Sequence, residues 1–131
     1  MSQLFSRLKS IVSDLGLGIE KEVPAEELLV VSNEERGIAN MIVDIEDPLI
    51  IIEQPIMAVA GDNAVLFRRL LQMNRELVHG AFVLNEDASM VFFRDTLELH
   101  TMDQSELESS INALSLALAE NATELLHLAG M

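Results

Sequence analysis

Apolar residues recur at helical spacing near both ends and in the middle of the chain, and at strand spacing in between. Leu4, Leu8, Ile11 and Leu15 follow one another at intervals of four, three and four, with Phe5 and Val12 beside them. That spacing predicts a helix over residues 2–15, with Ser2 as its cap and Gly16 as its stop. Leu17 to Glu26 contains Gly18 and Pro24 and reads as a connection. Three strands are expected next. Leu28 to Val31 is a short β-branched run. Ile38 to Glu46 alternates, with Ala39, Met41, Val43 and Ile45 on one face and Asn40, Asp44 and Glu46 on the other. Asp47-Pro48 turns the chain into a strand from Leu49 to Met57. Its start, Leu49-Ile50-Ile51-Ile52, is apolar on both faces, as in a central strand or one covered by a partner. Pro55 cannot donate to a ladder, so it belongs at a sheet edge or a bulge.

Asp62 is the expected cap of a second helix reaching Leu77, with Leu66, Leu70, Met73 and Leu77 on one stripe. Ala81 to Leu84 is a short strand, and Asn85-Glu86-Asp87-Ala88 a hairpin loop. Met90 to His100 returns as a strand with Val91, Phe93, Leu97 and Leu99 inward and Arg94, Thr96 and Glu98 outward. A long helix over 104–128 closes the chain, with Asp103 and Glu106 spaced as a capping box. The expected order is α-β-β-β-α-β-β-α, an α+β class with an antiparallel sheet packed with helices. At 131 residues the whole chain, 1–131, suits one domain.

Composition narrows the function classes. Half of the residues are hydrophobic, but there are five Phe and no Trp or Tyr, so the core is aliphatic. The formal net charge is −14, from 22 acidic and 8 basic residues. Such a balance repels nucleic-acid phosphates and anionic lipid and attracts basic partners. From Asp103 onward there are acids and no Lys or Arg, so the last helix is a surface of one sign. Met1-Ser2-Gln3-Leu4-Phe5 lacks the basic start of a signal peptide. No stretch approaches the ~18 consecutive apolar residues of a membrane span. A cytoplasmic protein is expected.

Little in the sequence suggests catalysis. The absence of cysteine removes disulfides, thiol nucleophiles and thiolate metal sites. His79, His100 and His127 are far apart in sequence, without ligand spacing, and each has a structural explanation. No phosphate-binding glycine loop or nucleophile elbow occurs. Carboxylates could supply an acid–base pair, but Glu26-Glu27, Glu34-Glu35 and Glu86-Asp87 fall at element ends, where charge is simply solvated. No enzyme activity, cofactor or metal is expected. Asp95 shares the inward face of its strand by alternation. A bulge re-aiming it is the expected explanation, with pairing to Arg68 or Arg69, or contact with a partner, as the others. Arg68, Arg69 and Arg75 put basic charge on the second helix, suited to intramolecular pairing, the acidic last helix being one candidate partner. Seven Met residues, including Met41, Met57, Met73, Met90 and Met102, fit core gaps or a surface that accepts varied partners.

The second half also carries a family resemblance. Leu70-Leu71-Gln72-Met73-Asn74-Arg75-Glu76-Leu77 leads into Gly80-Ala81-Phe82-Val83-Leu84-Asn85-Glu86-Asp87. This is similar to a helix ending Leu-Leu-x-x-Asn, a small-aromatic-aliphatic strand and an acidic hairpin. Met90-Val91-Phe92-Phe93-Arg94, Leu97 and the Leu107–Leu126 helix continue it. The pattern resembles the class I type III secretion chaperone fold, which the YbjN-like proteins share. It covers most of residues 60–128; the first half agrees in element order alone and carries no effector-binding signature. The resemblance implies a homodimer that cradles an extended segment of another protein on the outer faces of its sheets. The second helix and the last two strands would make the dimer contact.

The resulting expectation is a protein-binding module acting through burial of partner side chains, with backbone pairing at sheet edges. A regulator of the YbjN type is the alternative. Leu49, Ile51, Ile56 and Met57 are the candidate partner contacts. Leu70, Met73, Phe82 and Phe92 are the candidate dimer contacts.

Overall fold

Ser2 caps the first helix as expected, its Oγ accepting from the Phe5 N–H at 3.0 Å. The computed structural model describes residues 2–130. Its elements are α1 (Gln3–Asp14), β1 (Gly18–Val23), β2 (Leu28–Asn33), β3 (Ile38–Glu46), β4 (Leu49–Ala58), α2 (Ala64–Asn74), β5 (Ala81–Leu84), β6 (Met90–Glu98) and α3 (Gln104–Ala129). The strands form one antiparallel sheet in the order β1-β2-β3-β4-β6-β5. The α+β class holds, and the sheet has one strand more than the pattern predicts. That strand, β1, has no apolar face to signal it: Gly-Ile-Glu-Lys-Glu-Val is largely exposed along an edge. Charge on an edge strand discourages pairing with other chains.

The three helices bury their apolar stripes against one face of the sheet. Phe5, Leu8 and Val12 of α1, Leu66 and Leu70 of α2, and Leu107, Ile111 and Leu114 of α3 share a core with Leu29, Val31, Met41, Val43, Ile50, Ile52, Val91 and Phe93. Such burial stabilises by about 1.5–3 kcal/mol for each large apolar side chain. Asp103 caps α3 through its Oδ1 and the Glu106 N–H at 2.8 Å. Among the described residues no helix is long and apolar enough to cross a membrane.

Two irregularities set the shape around β4. Its ladder with β3 runs from Glu46↔Leu49 to Ile42↔Glu53 and stops. Beyond that point the buried Gln54 side chain replaces the ladder. Its Oε1 accepts from Ala39 N–H at 3.1 Å, and its Nε2 donates to the Gly37 carbonyl at 3.2 Å. On the other side, pairing with β6 shifts between Pro55 and Met57. Pro55 therefore sits at a bulge, one of the two places open to it.

Helix α2 starts one residue later than predicted, with Asn63 as cap, and ends at Asn74 rather than Leu77. The early stop frees Asn74 to bind β5. Gly80 then enters β5 at φ +73°, where a Cβ would lie 2.3 Å from the Phe93 ring. Only glycine fits there without displacement. The Phe93 ring meets Phe82 edge to face, with centroids 6.0 Å apart.

Candidate interaction surfaces

The sheet face opposite the helices combines apolar side chains and charges in cross-strand rows. Strand alternation sends Leu28 and Val30 of β2, Ile42 and Asp44 of β3, Ile51 and Glu53 of β4, and Phe92 and Arg94 of β6 to this side, all half-buried. One row runs Val23–Leu28–Asp44–Ile51–Thr96 and the next Lys21–Val30–Ile42–Glu53–Arg94–Ala81. Directly opposed side chains in such rows touch. Glu53 and Arg94 form an ion pair.

Asp44 has no such partner. Its Oδ1 is closed to solvent and accepts no hydrogen bond. Burial first, then a side-chain hydrogen bond with the neighbouring Glu46 and its charge, then the charges of Glu26 and Glu53, push its carboxyl up to about 6.

The four candidate partner contacts divide between two sides of the sheet. Leu49 and Ile51 lie on the open face, Leu49 at its margin and 36% exposed. Ile56 and Met57 lie on the helix side, because the bulge turns both the same way. There they line a groove with Leu118, Ala122, Leu125 and Leu126 of α3, and Leu126 is 69% exposed.

Of the four candidate dimer contacts, Leu70, Met73 and Phe82 are core residues, 4%, 3% and 4% exposed. Phe92 is half-buried on the open face. The reachable apolar surface beside them is a groove of about 240 Å³ between α2 and the edge strand β5, lined by Phe67, Leu70, Leu71, Phe82, Val83 and Leu84. Leu71 at its rim is 73% exposed. Contact made here falls on Phe67, Leu71, Val83 and Leu84.

The free edge of β5 is occupied. Asn74 Oδ1 accepts from the Phe82 N–H at 2.7 Å, and Asn74 Nδ2 donates to the Phe82 carbonyl at 3.0 Å. One side chain thus satisfies both outward-pointing main-chain groups of Phe82. The Leu-Leu-x-x-Asn pattern contained this residue, but nothing in the spacing indicated its role.

Asp95 corrects an expectation. It pairs in register with Ile52, and no bulge re-aims it. Its carboxylate accepts instead from Ser110 Oγ of α3 and from the Thr96 N–H. A hydroxyl on the covering helix satisfies an inward acid without a base. Arg69 pairs with Glu124 of α3 at 2.5 Å, the intramolecular contact foreseen for the basic helix. A cleft of about 400 Å³ opens beside that pair, between the end of α2 and α3, with the exposed Val78 and Leu116 on its walls. Among the described residues no group of three or more His, Asp or Glu is placed to hold a metal ion. His100 lies 2.9 Å from Asp47 in an exposed pair.

The model of the CesT_Tir_1 family matches residues 1–131. No curated protein matches the sequence. Among solved structures, YbjN of E. coli superposes with a TM-score of 0.70 at 14% identity, covering 92% of each chain. A chain of the ExsC–ExsE complex gives 0.62 at 15% identity, covering 88% of this chain and 92% of the other. The Yersinia pestis type III secretion chaperone SycH, in complex with a fragment of YscM2, gives 0.57 at 15% identity, covering 89% and 98%. At these identities the likeness is one of fold.

Proposed function

The chain belongs to the CesT_Tir_1 family, that of the type III secretion chaperones, and from this we propose that it is a non-enzymatic cytoplasmic protein that holds a segment of another polypeptide. The observation that carries the reading is the open sheet face. Leu28, Val30, Ile42 and Ile51 lie there side by side with no helix over them. A partner's aliphatic side chains laid on them would leave water at about 25 cal/mol per Å² buried. Leu49 and Ile51 contact the partner on this face. Ile56 and Met57 do so in the groove against α3.

The working form is a homodimer joined through the α2–β5 surface. Leu70, Met73 and Phe82 support that surface from beneath, and Phe67, Leu71 and Val83 make its contacts. Phe92 borders it on the open face.

A regulatory protein of the YbjN type, binding a folded target, is the second reading. The charges Asp44, Glu46, Glu53, Arg94 and Glu98 set among the apolar residues favour it. The test is capture from the native host with the tagged full chain, with mass measured by light scattering. One dominant retained protein, lost when an unfolded stretch of that protein is deleted, supports the chaperone reading. Retention that requires the partner's folded domain supports the regulatory one. A monomer that retains nothing overturns both.

A further inference from the structure

The open face presents an acid that no base of the protein answers. Asp44 stands between Leu28 and Ile51 as direct cross-strand neighbours, with Ile42 and Glu46 before and after it on the same face. Its Oδ1 has neither solvent nor a hydrogen-bond donor. The groups that bear on it are Glu46, through a side-chain hydrogen bond and its charge, and then Glu26 and Glu53, all acidic, so no base answers it. Of the bases on this face, Arg94 is engaged by Glu53, and Lys21 stands opposite Val30, on the far side of β2 from Asp44. An unpaired carboxylate among aliphatic side chains is costly, and natural proteins hold such groups paired. Among the described residues no cluster suited to a metal ion surrounds it. The chemistry that fits is a single cation on a long apolar stem, which can lie along Leu28 and Ile51 and end at the carboxylate.

We propose that Asp44 anchors an Arg or Lys side chain of the bound segment, flanked in that segment by aliphatic residues that rest on Leu28, Val30, Ile42 and Ile51. This rests on the binding reading above and adds to it what the segment must carry. Charge complementarity favours it throughout: Glu26, Glu46 and Glu53 surround the site, and the chain's net charge is −14.

The test uses the full chain and a set of short labelled peptides of alternating aliphatic sequence, with Arg, Lys, citrulline, Gln or Glu at the centre. Binding is read by fluorescence anisotropy at neutral pH. Arg and Lys peptides are expected to bind about tenfold or more tighter than citrulline and Gln peptides, as a charge-assisted hydrogen bond implies. That preference should disappear in Asp44→Asn and survive in Glu98→Gln, which makes the same charge change at the margin of the face. Equal binding of Arg and Gln peptides overturns the proposal. So does a preference that persists in Asp44→Asn, which would reflect net charge alone. Aliphatic peptides bound without regard to the central residue sink the anchor and leave the binding reading standing. If no peptide binds at all, the anchor is rejected, and the binding reading is decided by the capture experiment.

Discussion

Replacing Asp44 by Asn should make the free protein more stable at neutral pH and leave it little changed in acid. The folded protein raises this carboxyl from 3.8 to about 6, chiefly by burial among Leu28, Ile42 and Ile51 and secondarily through Glu46. A raised acid is one whose charged form the fold disfavours. Its contribution is therefore fully favourable below the unfolded value of 3.8 and is lost as the pH climbs through about 6. The full displacement corresponds to at most about 3 kcal/mol. Partial solvent access and sharing with Glu46 reduce the expected gain to about 1 kcal/mol. For a chain of this size that is a rise in Tm of about 3–5 °C. Urea unfolding of wild type and Asp44→Asn, at neutral pH and again at a pH below 6, reads the difference directly. The gain should shrink as the pH falls. A gain of equal size at both values, or a loss at neutral pH, would refute the placement of Asp44 as a half-buried acid without a base.

Other changes test the remaining elements. Gly80→Ala forces a Cβ to 2.3 Å from the Phe93 ring at φ +73°, and should cost about 2–3 kcal/mol or more in urea unfolding. Asn74→Ala strips both hydrogen bonds from the Phe82 backbone. It should cost about 1–3 kcal/mol and increase self-association measured by light scattering. Ile51→Asp charges the open face and not the core, so circular dichroism should show an intact fold while partner capture is lost. Leu71→Glu, at a site 73% exposed, should leave the protomer folded and shift the mass by light scattering from dimer to monomer.

How much of this was legible in the sequence depended on which residues carried a periodic signal. The inward Met41, Val43 and Ile45 of β3, the inward face of β6 and the stripes of all three helices follow from spacing, because burial there is selective and repeats. Ala39, placed inward by the same alternation, is exposed, and Ile38 is buried instead, the alternation breaking at Asn40 with its positive φ. Strand β1 did not, since an edge strand guarded by Glu20, Lys21 and Glu22 has no apolar face to repeat. The dimer candidates Leu70, Met73 and Phe82 show the complementary weakness. Periodicity finds the buried stripe, and the reachable surface is made by its neighbours Phe67, Leu71 and Val83. Asp44 was placed on the correct face. Its significance lies in the absence of any base across Leu28 or Ile51, which depends on register and is invisible without it. Asp95 looked anomalous until Ser110, from a helix later in the chain, proved to be its partner.

The two sheet edges also bear on how a partner is held. Backbone pairing at an edge is the cheapest way for a β-protein to take up an extended segment, and both edges here oppose it. On β1 the obstacle is alternating charge along an exposed strand. On β5 it is Asn74, which occupies the Phe82 amide and carbonyl that an added strand would need. The end of β4 is unpaired on its β3 side beyond Glu53, but there Gln54 binds Ala39 and Gly37, and Pro55 brings no N–H. With main-chain pairing discouraged at each of these places, the proposed binding of a partner falls to side chains on the open face and in the grooves. Selectivity then rests on what those surfaces offer besides apolar area. On the open face that is one half-buried carboxylate whose Oδ1 has no donor, which is why, under the proposed anchoring, the identity of a single basic residue in the partner should outweigh the exact sequence of the aliphatic residues around it.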